Sequence, residues 1–357
     1  MALPPAAPAI LAAAAVAGSI ALAHLVVRLV RRAERRLLAE RARRLAVRLR
    51  RFVPRGRGGP ALRRAAREAD GRVFWGALET LPAVAGPARR RALGELLERN
   101  PHVLAERRAL RDDSPWRREL AARRLGLLAS PGVRRALRRA MIRGPEPVTL
   151  AAAFALARMR DRAALAWVLD HPGALARRTP RALLALLRGF GRPALGPIAA
   201  ALERHTADPR LERAMIETLG LGGAGASAAA IERRLGAAEV EVRVAAVRAL
   251  GRLRAAGGAP ALIAKLADPE WAVRSQAART LGLLGAGDAV EPLSASLTDR
   301  AWWVRRHAAY ALLALGERGV RALREAAAAS PDPYARDIAS EALAGGFAPR
   351  GARRGRP

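Results

Sequence analysis

The histidines are the side chains here that could most readily do acid–base or metal chemistry, and their spacing argues against both. They are His24, His102, His171, His205 and His307. None stands in an HExxH, HxH or His-Glu pattern, which would place metal ligands on one helical face. The chain has no cysteine, which excludes thiolate catalysis and cysteine-bound zinc or iron–sulfur clusters. We therefore expect no catalytic residue, no bound metal and no cofactor.

The other chemistry that the sequence offers is the binding of anions by arginine. The 357 residues include 64 basic and 31 acidic side chains, which gives a formal net charge of +33. Because 51% of the residues are hydrophobic, the chain should fold rather than behave as a disordered basic tail. The excess lies in the first part: residues 73–207 hold 25 basic and 11 acidic side chains, whereas residues 208–346 hold 18 and 16.

The densest arginine cluster in the folded part is predicted to lie on one helix. Its members are Arg134, Arg135, Arg138 and Arg139. Such a cluster could bind an acidic protein surface, lipid headgroups or nucleic acid. The alternative is a solvated helical face with no specific partner.

An uncharged apolar run at the N-terminus predicts a transmembrane helix. Residues 6–27 contain no charged side chain, and about 20 apolar helical residues cover a bilayer core. Arginines follow the run and none precedes it, so the positive-inside rule predicts a single-pass protein of the cell inner membrane. Its N-terminus would lie outside and the remainder in the cytoplasm. A cleaved signal peptide is the alternative.

The next segment, residues 28–52, predicts a basic amphipathic helix beside the membrane. Leu38, Ala42, Leu45, Leu49 and Phe52 recur at helical spacing and line one face. Residues 28–72 hold 17 arginines against four acidic side chains, a balance that favours anionic lipid headgroups as partners. The tentative headgroup ligands are Arg28, Arg31, Arg32, Arg35 and Arg36. A solvated stalk is the alternative reading, and a Gly- and Pro-rich linker is predicted at 53–60.

Beyond the linker, the sequence repeats every 31 residues. The phased positions are Arg243, Arg274, Arg305 and Arg336, and Leu250, Leu281, Leu312 and Leu343. Within a unit, apolar residues follow a helical period, then Gly257-Gly258 precedes a second apolar stripe, so each unit is predicted to be a helix pair. We predict an all-α solenoid over residues 61–346, clearest at 208–346, and a disordered basic tail at 347–357.

Two segments carry a family resemblance. Residues 268–284 (DPEWAVRSQAARTLGLL) and 299–316 (DRAWWVRRHAAYALLALG) resemble the short HEAT repeats first associated with phycobilisome lyases. The resemblance implies stacked helix pairs. It also favours a structural role for the arginine ladder, in which each arginine hydrogen-bonds a turn aspartate such as Asp268 or Asp299. No residue signature of bilin-lyase activity, or of the His-Glu pairs of iron-binding HEAT hydroxylases, is present.

These observations favour a membrane-anchored scaffold that offers a docking surface to another protein, possibly a membrane enzyme complex. Trp116, Trp271, Trp302 and Trp303 are expected mainly to pack between units, although Trp302 and Trp303 are adjacent, so one of them should be exposed to a partner. Nucleic-acid binding through a basic concave face is the alternative function. An enzyme of the bilin-lyase type is the third and the least supported.

Overall fold

The computed structural model describes residues 7–52, 58–81, 87–175, 177–204 and 208–345, without the side chains of residues 7–20, 87 and 256. The described part contains helices and no strand. It divides into two compact units, Met1–Met159 and Arg160–Pro357. Most of the predicted linker (53–57) and the whole predicted tail (347–357) lie outside the described residues.

Eight helices lie in the described residues of the first unit. They are α1 (Ala7–Arg51), α2 (Gly59–Glu68), α3 (Gly71–Glu79), α4 (Pro87–Leu97), α5 (Pro101–Ala109), α6 (Pro115–Leu125), α7 (Pro131–Arg143) and α8 (Glu146–Arg158). Side-chain caps fix several starts: Ser114 accepts a hydrogen bond from the N–H of Arg117, and Ser130 from that of Val133. Proline follows each of these serines in the first turn, where its missing N–H costs nothing.

Helix α1 joins the two predicted N-terminal segments into one helix. At 1.5 Å per residue, its 45 residues extend for about 67 Å. The apolar stripe predicted for residues 28–52 is buried near the C-terminal end of α1. There Leu45 and Leu49 are buried and α1 packs on α3. Residues 21–37 are exposed on every side. Among the residues of α1 whose side chains are described, 21–51, the buried ones therefore all lie near its C-terminal end.

The predicted transmembrane segment at 6–27 falls largely where side chains are not described. Among the helices that are described, none is both long and apolar enough to cross a membrane. The segment remains a prediction.

Within the part of the second unit that the structure describes, there are twelve α-helices, joined in part by short 3-10 turns. They are α9 (Arg162–Asp170), α10 (Pro180–Gly189), α11 (Leu195–Glu203), α12 (Pro209–Gly222), α13 (Ala228–Glu232), α14 (Val240–Leu253), α15 (Ala259–Ala264), α16 (Trp271–Leu284), α17 (Val290–Ala295), α18 (Trp302–Ala314), α19 (Glu317–Ala329) and α20 (Pro333–Leu343). In the clearest repeats a long helix alternates with a short one, so each repeat is a pair of helices, as predicted. Leu250, Leu281 and Leu312 are fully buried, whereas Leu343 on the last helix is partly exposed.

Glycine follows the ladder leucine because the next long helix comes very close. A Cβ on Gly282 would lie 2.7 Å from Cα of Ala311, and one on Gly251 would lie 2.8 Å from Cγ2 of Thr280. Gly220 stands in the same relation to Ala249. Since real Cβ atoms do not approach other heavy atoms this closely, only glycine allows this spacing between adjacent repeats.

Candidate anion-binding site

The arginine ladder of the second unit ties neighbouring repeats together. Arg274 on α16 donates from Nε and Nη2 to the two carboxylate oxygens of Asp299, at 2.7 and 2.9 Å. Its Nη1 donates to the carbonyls of Asp268 and Pro269, at 2.8 and 2.9 Å. Arg243 on α14 repeats the arrangement with Asp268, at 3.0 Å for both oxygens. These guanidinium groups are buried and fully engaged, so they are part of the structure rather than a binding surface.

The paired aspartates are held in the charged form. Burial alone would raise the pKa of Asp299, but hydrogen bonds from Arg274 and from the N–H of Ala301 leave it below its ordinary value. The pKa of Asp268 is lowered in the same way against its own burial, by Arg243, the N–H of Glu270 and Lys265. The same bond to Asp299 raises the pKa of Arg274.

The ladder stops at the third arginine, which corrects the expectation for Arg305 and Arg336. Each aspartate follows its arginine by 25 residues, and 25 residues after Arg305 the chain has Ser330, which carries no charge. Arg305 therefore bonds only the carbonyls of Asp299 and Arg300, and its guanidinium lies 4.9 Å from the ring centre of Tyr334. Arg336 likewise donates to the carbonyls of Ser330 and Pro331.

Before Arg243 in the chain, a buried ion pair has the acidic residue at the ladder position and the basic residue after it, the reverse of the arginine–aspartate pairs. Glu212, at the ladder position of α12, contacts Arg234, whose guanidinium also donates to the carbonyl of Leu202. Glu212 stands 31 residues before Arg243, where the repeat predicts an arginine, and the basic residue 22 positions later provides its partner.

The four tryptophans expected to pack between units are more exposed than that expectation implies. The exposed fraction is 69% for Trp116, 47% for Trp271, 43% for Trp302 and 49% for Trp303. They stand in the first turns of their helices, before the buried face begins at residues such as Val304. Trp302 and Trp303 make an edge-to-face pair with ring centres 4.6 Å apart, and Arg306 lies 5.0 Å from the Trp302 ring centre. Both are exposed, where one was expected to be.

Three histidines serve the structure. Nε2 of His102 lies 2.8 Å from the carbonyl of Ala69, and Nδ1 of His171 lies 2.9 Å from that of Trp167. Nδ1 of His307 lies 2.7 Å from Oγ of Ser275, and burial, followed by the charge of Arg279, lowers the pKa of His307. His205 lies outside the described residues. In the described part of the chain, no group of three acidic or histidine side chains could hold a metal ion.

The exposed part of α1 has two different stripes. Apolar residues recur at i, i+3, i+4, i+7 and i+8, and they are Leu22, Leu25, Val26, Leu29 and Val30. Their exposed fractions lie between 50 and 61%. The predicted headgroup ligands, the arginines at 28, 31, 32, 35 and 36, recur at the same intervals and are all exposed. By this spacing the two sets occupy different sides of the helix.

The predicted arginine cluster on α7 divides between two environments. Arg134 and Arg138 are half-buried, and Nη2 of Arg134 donates to the carbonyl of Met159 at 2.9 Å. Arg135 and Arg139 are exposed and line an open cavity between α5 and α7. Only two of the four therefore offer their charge to a ligand.

That cavity, the arginine groove, has a volume of about 840 Å³. Half of the residues that line it are arginines, and no lining residue is acidic. The arginines are Arg107, Arg108, Arg111, Arg118, Arg135, Arg139 and Arg143. None of these seven forms an ion pair or a side-chain hydrogen bond in the described ranges of the chain. The nearby carboxylate of Glu98 packs against Gly132 in the wall. A large excess of positive charge therefore faces one space, which is the electrostatic signature of an anion site.

Arg118, on α6, is a wall residue in a different environment. Its Nε is covered by the protein and has no hydrogen-bond partner among the described residues. Because this nitrogen is shielded from solvent, a ligand in the groove does not reach it. Sequence reasoning found Arg135 and Arg139 but missed the other five. The four-residue spacing of Arg107 and Arg111, and of Arg139 and Arg143, was available as a signal.

Comparison with known proteins supports the repeat. The family model of HEAT repeats matches residues 259–344. No curated protein sequence matches the chain. The short lyase type of HEAT repeat is not distinguished by the match.

Solved structures with similar folds match with low identity. An engineered protein matches at 16% identity and a TM-score of 0.39, covering 85% of this chain and 98% of its own. Human deoxyhypusine hydroxylase in complex with glycerol matches at 18% and 0.32, covering 79% and 98%. A chain from a structure of Kap95p with RanGDP matches at 14% and 0.41, covering 80% of this chain and 49% of its own.

Proposed function

We propose that this protein is a membrane-attached docking protein, in which the helical units bind another protein and α1 holds them at a membrane surface. The observation that carries the docking role is the arginine groove, whose charges have no partner within the described chain. The HEAT repeats at 259–344 support it, because stacked helix pairs form an extended surface for binding rather than an enclosed reaction site.

Two features of α1 support membrane attachment. Residues 21–37 contribute nothing to the core, yet they expose an apolar stripe that would be costly to leave in water. The arginine stripe beside it would meet anionic headgroups, each charge contributing about 1 kcal/mol near the surface. The proposed orientation places the N-terminus outside a cell inner membrane and the helical units in the cytoplasm, as the positive-inside rule predicts.

The attachment is tested by alkaline carbonate extraction of membranes from cells that produce the full chain. We expect the protein to stay in the membrane pellet, because an inserted apolar helix is not released by charge neutralisation. Leu25→Glu/Leu29→Glu should move much of it to the supernatant. The control Val47→Glu/Leu283→Glu changes two equally exposed apolar residues elsewhere and should not. Complete extraction of the unchanged protein would contradict the attachment.

The docking role is tested by a photo-reactive amino acid at Ala136, a groove residue between the two rows of arginines. After irradiation of cells, we expect adducts with protein, identified by mass spectrometry. Their yield should fall when Arg135→Glu/Arg139→Glu is added, and not when Arg252→Glu/Arg324→Glu, an equal charge change on exposed residues of the second unit, is added. Adducts mainly with nucleic acid would favour the alternative function.

A further inference from the structure

The geometry of the arginine groove indicates which anion it fits. Arg135, Arg139 and Arg143 follow one another at four-residue intervals on α7, so at 1.5 Å per residue their backbone origins are about 6 Å apart. Arg107 and Arg111 repeat this interval on the α5 side of the groove. The site therefore presents rows of positive charge rather than a single point.

An extended polypeptide has a matching period. Its alternate side chains point to the same face, and at about 3.3 Å per residue they recur every 6.6 Å or so. Acidic residues at every second position would thus meet successive arginines of a row. The planar guanidinium group binds a carboxylate through two parallel hydrogen bonds. Such bonds form best when successive carboxylates have the same spacing as successive arginines.

The uncharged lining also favours a polypeptide. The groove also has partly exposed aliphatic side chains, namely Leu104, Ala136 and Ala140, which suit the methylene groups of glutamate and small side chains. No aromatic side chain lines it, whereas sites for single-stranded nucleic acid use aromatic rings to stack bases. Its volume of about 840 Å³ lies within the range of about 300–1,000 Å³ usual for enclosed ligands and is small for a duplex.

We propose that the arginine groove binds an extended acidic segment of a partner protein, with aspartate or glutamate at every second position. This proposal rests on the docking function and specifies its partner.

The test measures the binding of a labelled peptide of about seven residues, alternating glutamate and serine, to the full chain in detergent by fluorescence anisotropy. Arg135→Glu/Arg139→Glu should raise the Kd by at least about tenfold, because two charged donors are lost. The control Arg252→Glu/Arg324→Glu, which lowers the net charge equally, should change the Kd by less than about twofold. Arg118→Lys keeps the charge at the wall but loses the planar guanidinium group that pairs with a carboxylate, and should weaken binding several-fold.

A second groove variant controls for misfolding, and a second peptide controls for the spacing of the acidic residues. Arg108→Glu/Arg143→Glu alters other members of the groove and should reproduce the loss if the first variant misfolds, which circular dichroism would reveal. A peptide of the same composition with its glutamates in one block should bind more weakly than the alternating one. Equal loss in the groove and control variants, or equal binding of the two peptides, would overturn the proposal.

The remaining outcomes separate this inference from the docking function. If an oligodeoxythymidylate displaces the peptide and loses affinity by the same factor in the groove variants, the groove is a general polyanion site and the proposal fails. If the peptide does not bind but Ala136 still yields groove-dependent protein adducts in cells, docking stands and the acidic segment is wrong. Because the chain is purified in detergent, a failure of membrane attachment does not affect this measurement.

Discussion

Arg274→Met is expected to lower the free energy of unfolding of the second unit by about 3–5 kcal/mol, because it leaves a partly buried carboxylate without its counter-ion. Asp299 would lose both guanidinium hydrogen bonds, and the carbonyls of Asp268 and Pro269 would lose their donor. The change can be followed in urea by the fluorescence of Trp271, Trp302 and Trp303, which stand on the two helices that the pair connects.

The repeat itself supplies a matched control. Arg305 occupies the same position one unit later and bonds only two carbonyls, so Arg305→Met should cost about 1–2 kcal/mol. The double change Arg274→Met/Asp299→Leu should recover much of the loss, since it removes the unpaired charge as well. Equal losses for Arg274→Met and Arg305→Met would show that the carboxylate contributes little.

The comparison of these two arginines shows what a repeat pattern can predict. The 31-residue period identified both as ladder positions, and the family resemblance implied that ladder arginines bond turn aspartates, as Arg243 and Arg274 do. It assigned Arg305 the same role, because its phase is the same. The difference lies in one residue of the next turn, Ser330, which a leucine-based alignment does not weigh. Periodicity therefore predicts position, and the local residue types decide the interaction.

The arginine groove was harder to predict, because its members come from three helices. Arg135 and Arg139 stood out as a dense cluster on one segment, but the cluster also contained Arg134, whose guanidinium turns to the carbonyl of Met159. Arg107, Arg111 and Arg118 belong to α5, the turn after it and α6, where the 31-residue phasing is weak. Which face of α5 meets which face of α7 is set by packing in the first unit, and that information is not contained in any single segment.

The exposed tryptophans show the opposite limit. Trp271 and Trp302 stand 31 residues apart, at the same position of successive repeats. That position is in the first helical turn, before the first buried residue, so both side chains stay nearly half exposed. A conserved spacing within a repeat thus marks equivalent environments, whether those environments are buried or exposed.

Leu281→Ala is expected to cost about 2–5 kcal/mol in the free energy of unfolding, through lost burial and the cavity left behind. Leu281 is completely buried, and the next residue, Gly282, lies against Ala311, so the backbone has little room to move inward and fill the space. Urea unfolding monitored by tryptophan fluorescence measures the effect in the same unit as before.

Leu343 is the corresponding control at the end of the ladder. It occupies the same phase on α20 but is partly exposed, so Leu343→Ala removes less buried surface and should cost about 1 kcal/mol. The ratio of the two losses reports how far the core depends on a following repeat to cover it. Because a helix pair cannot bury its own apolar stripe, the internal leucine should be several times more costly to truncate than the terminal one. Similar losses at the two positions would mean that each repeat is stabilised within itself rather than by its neighbours.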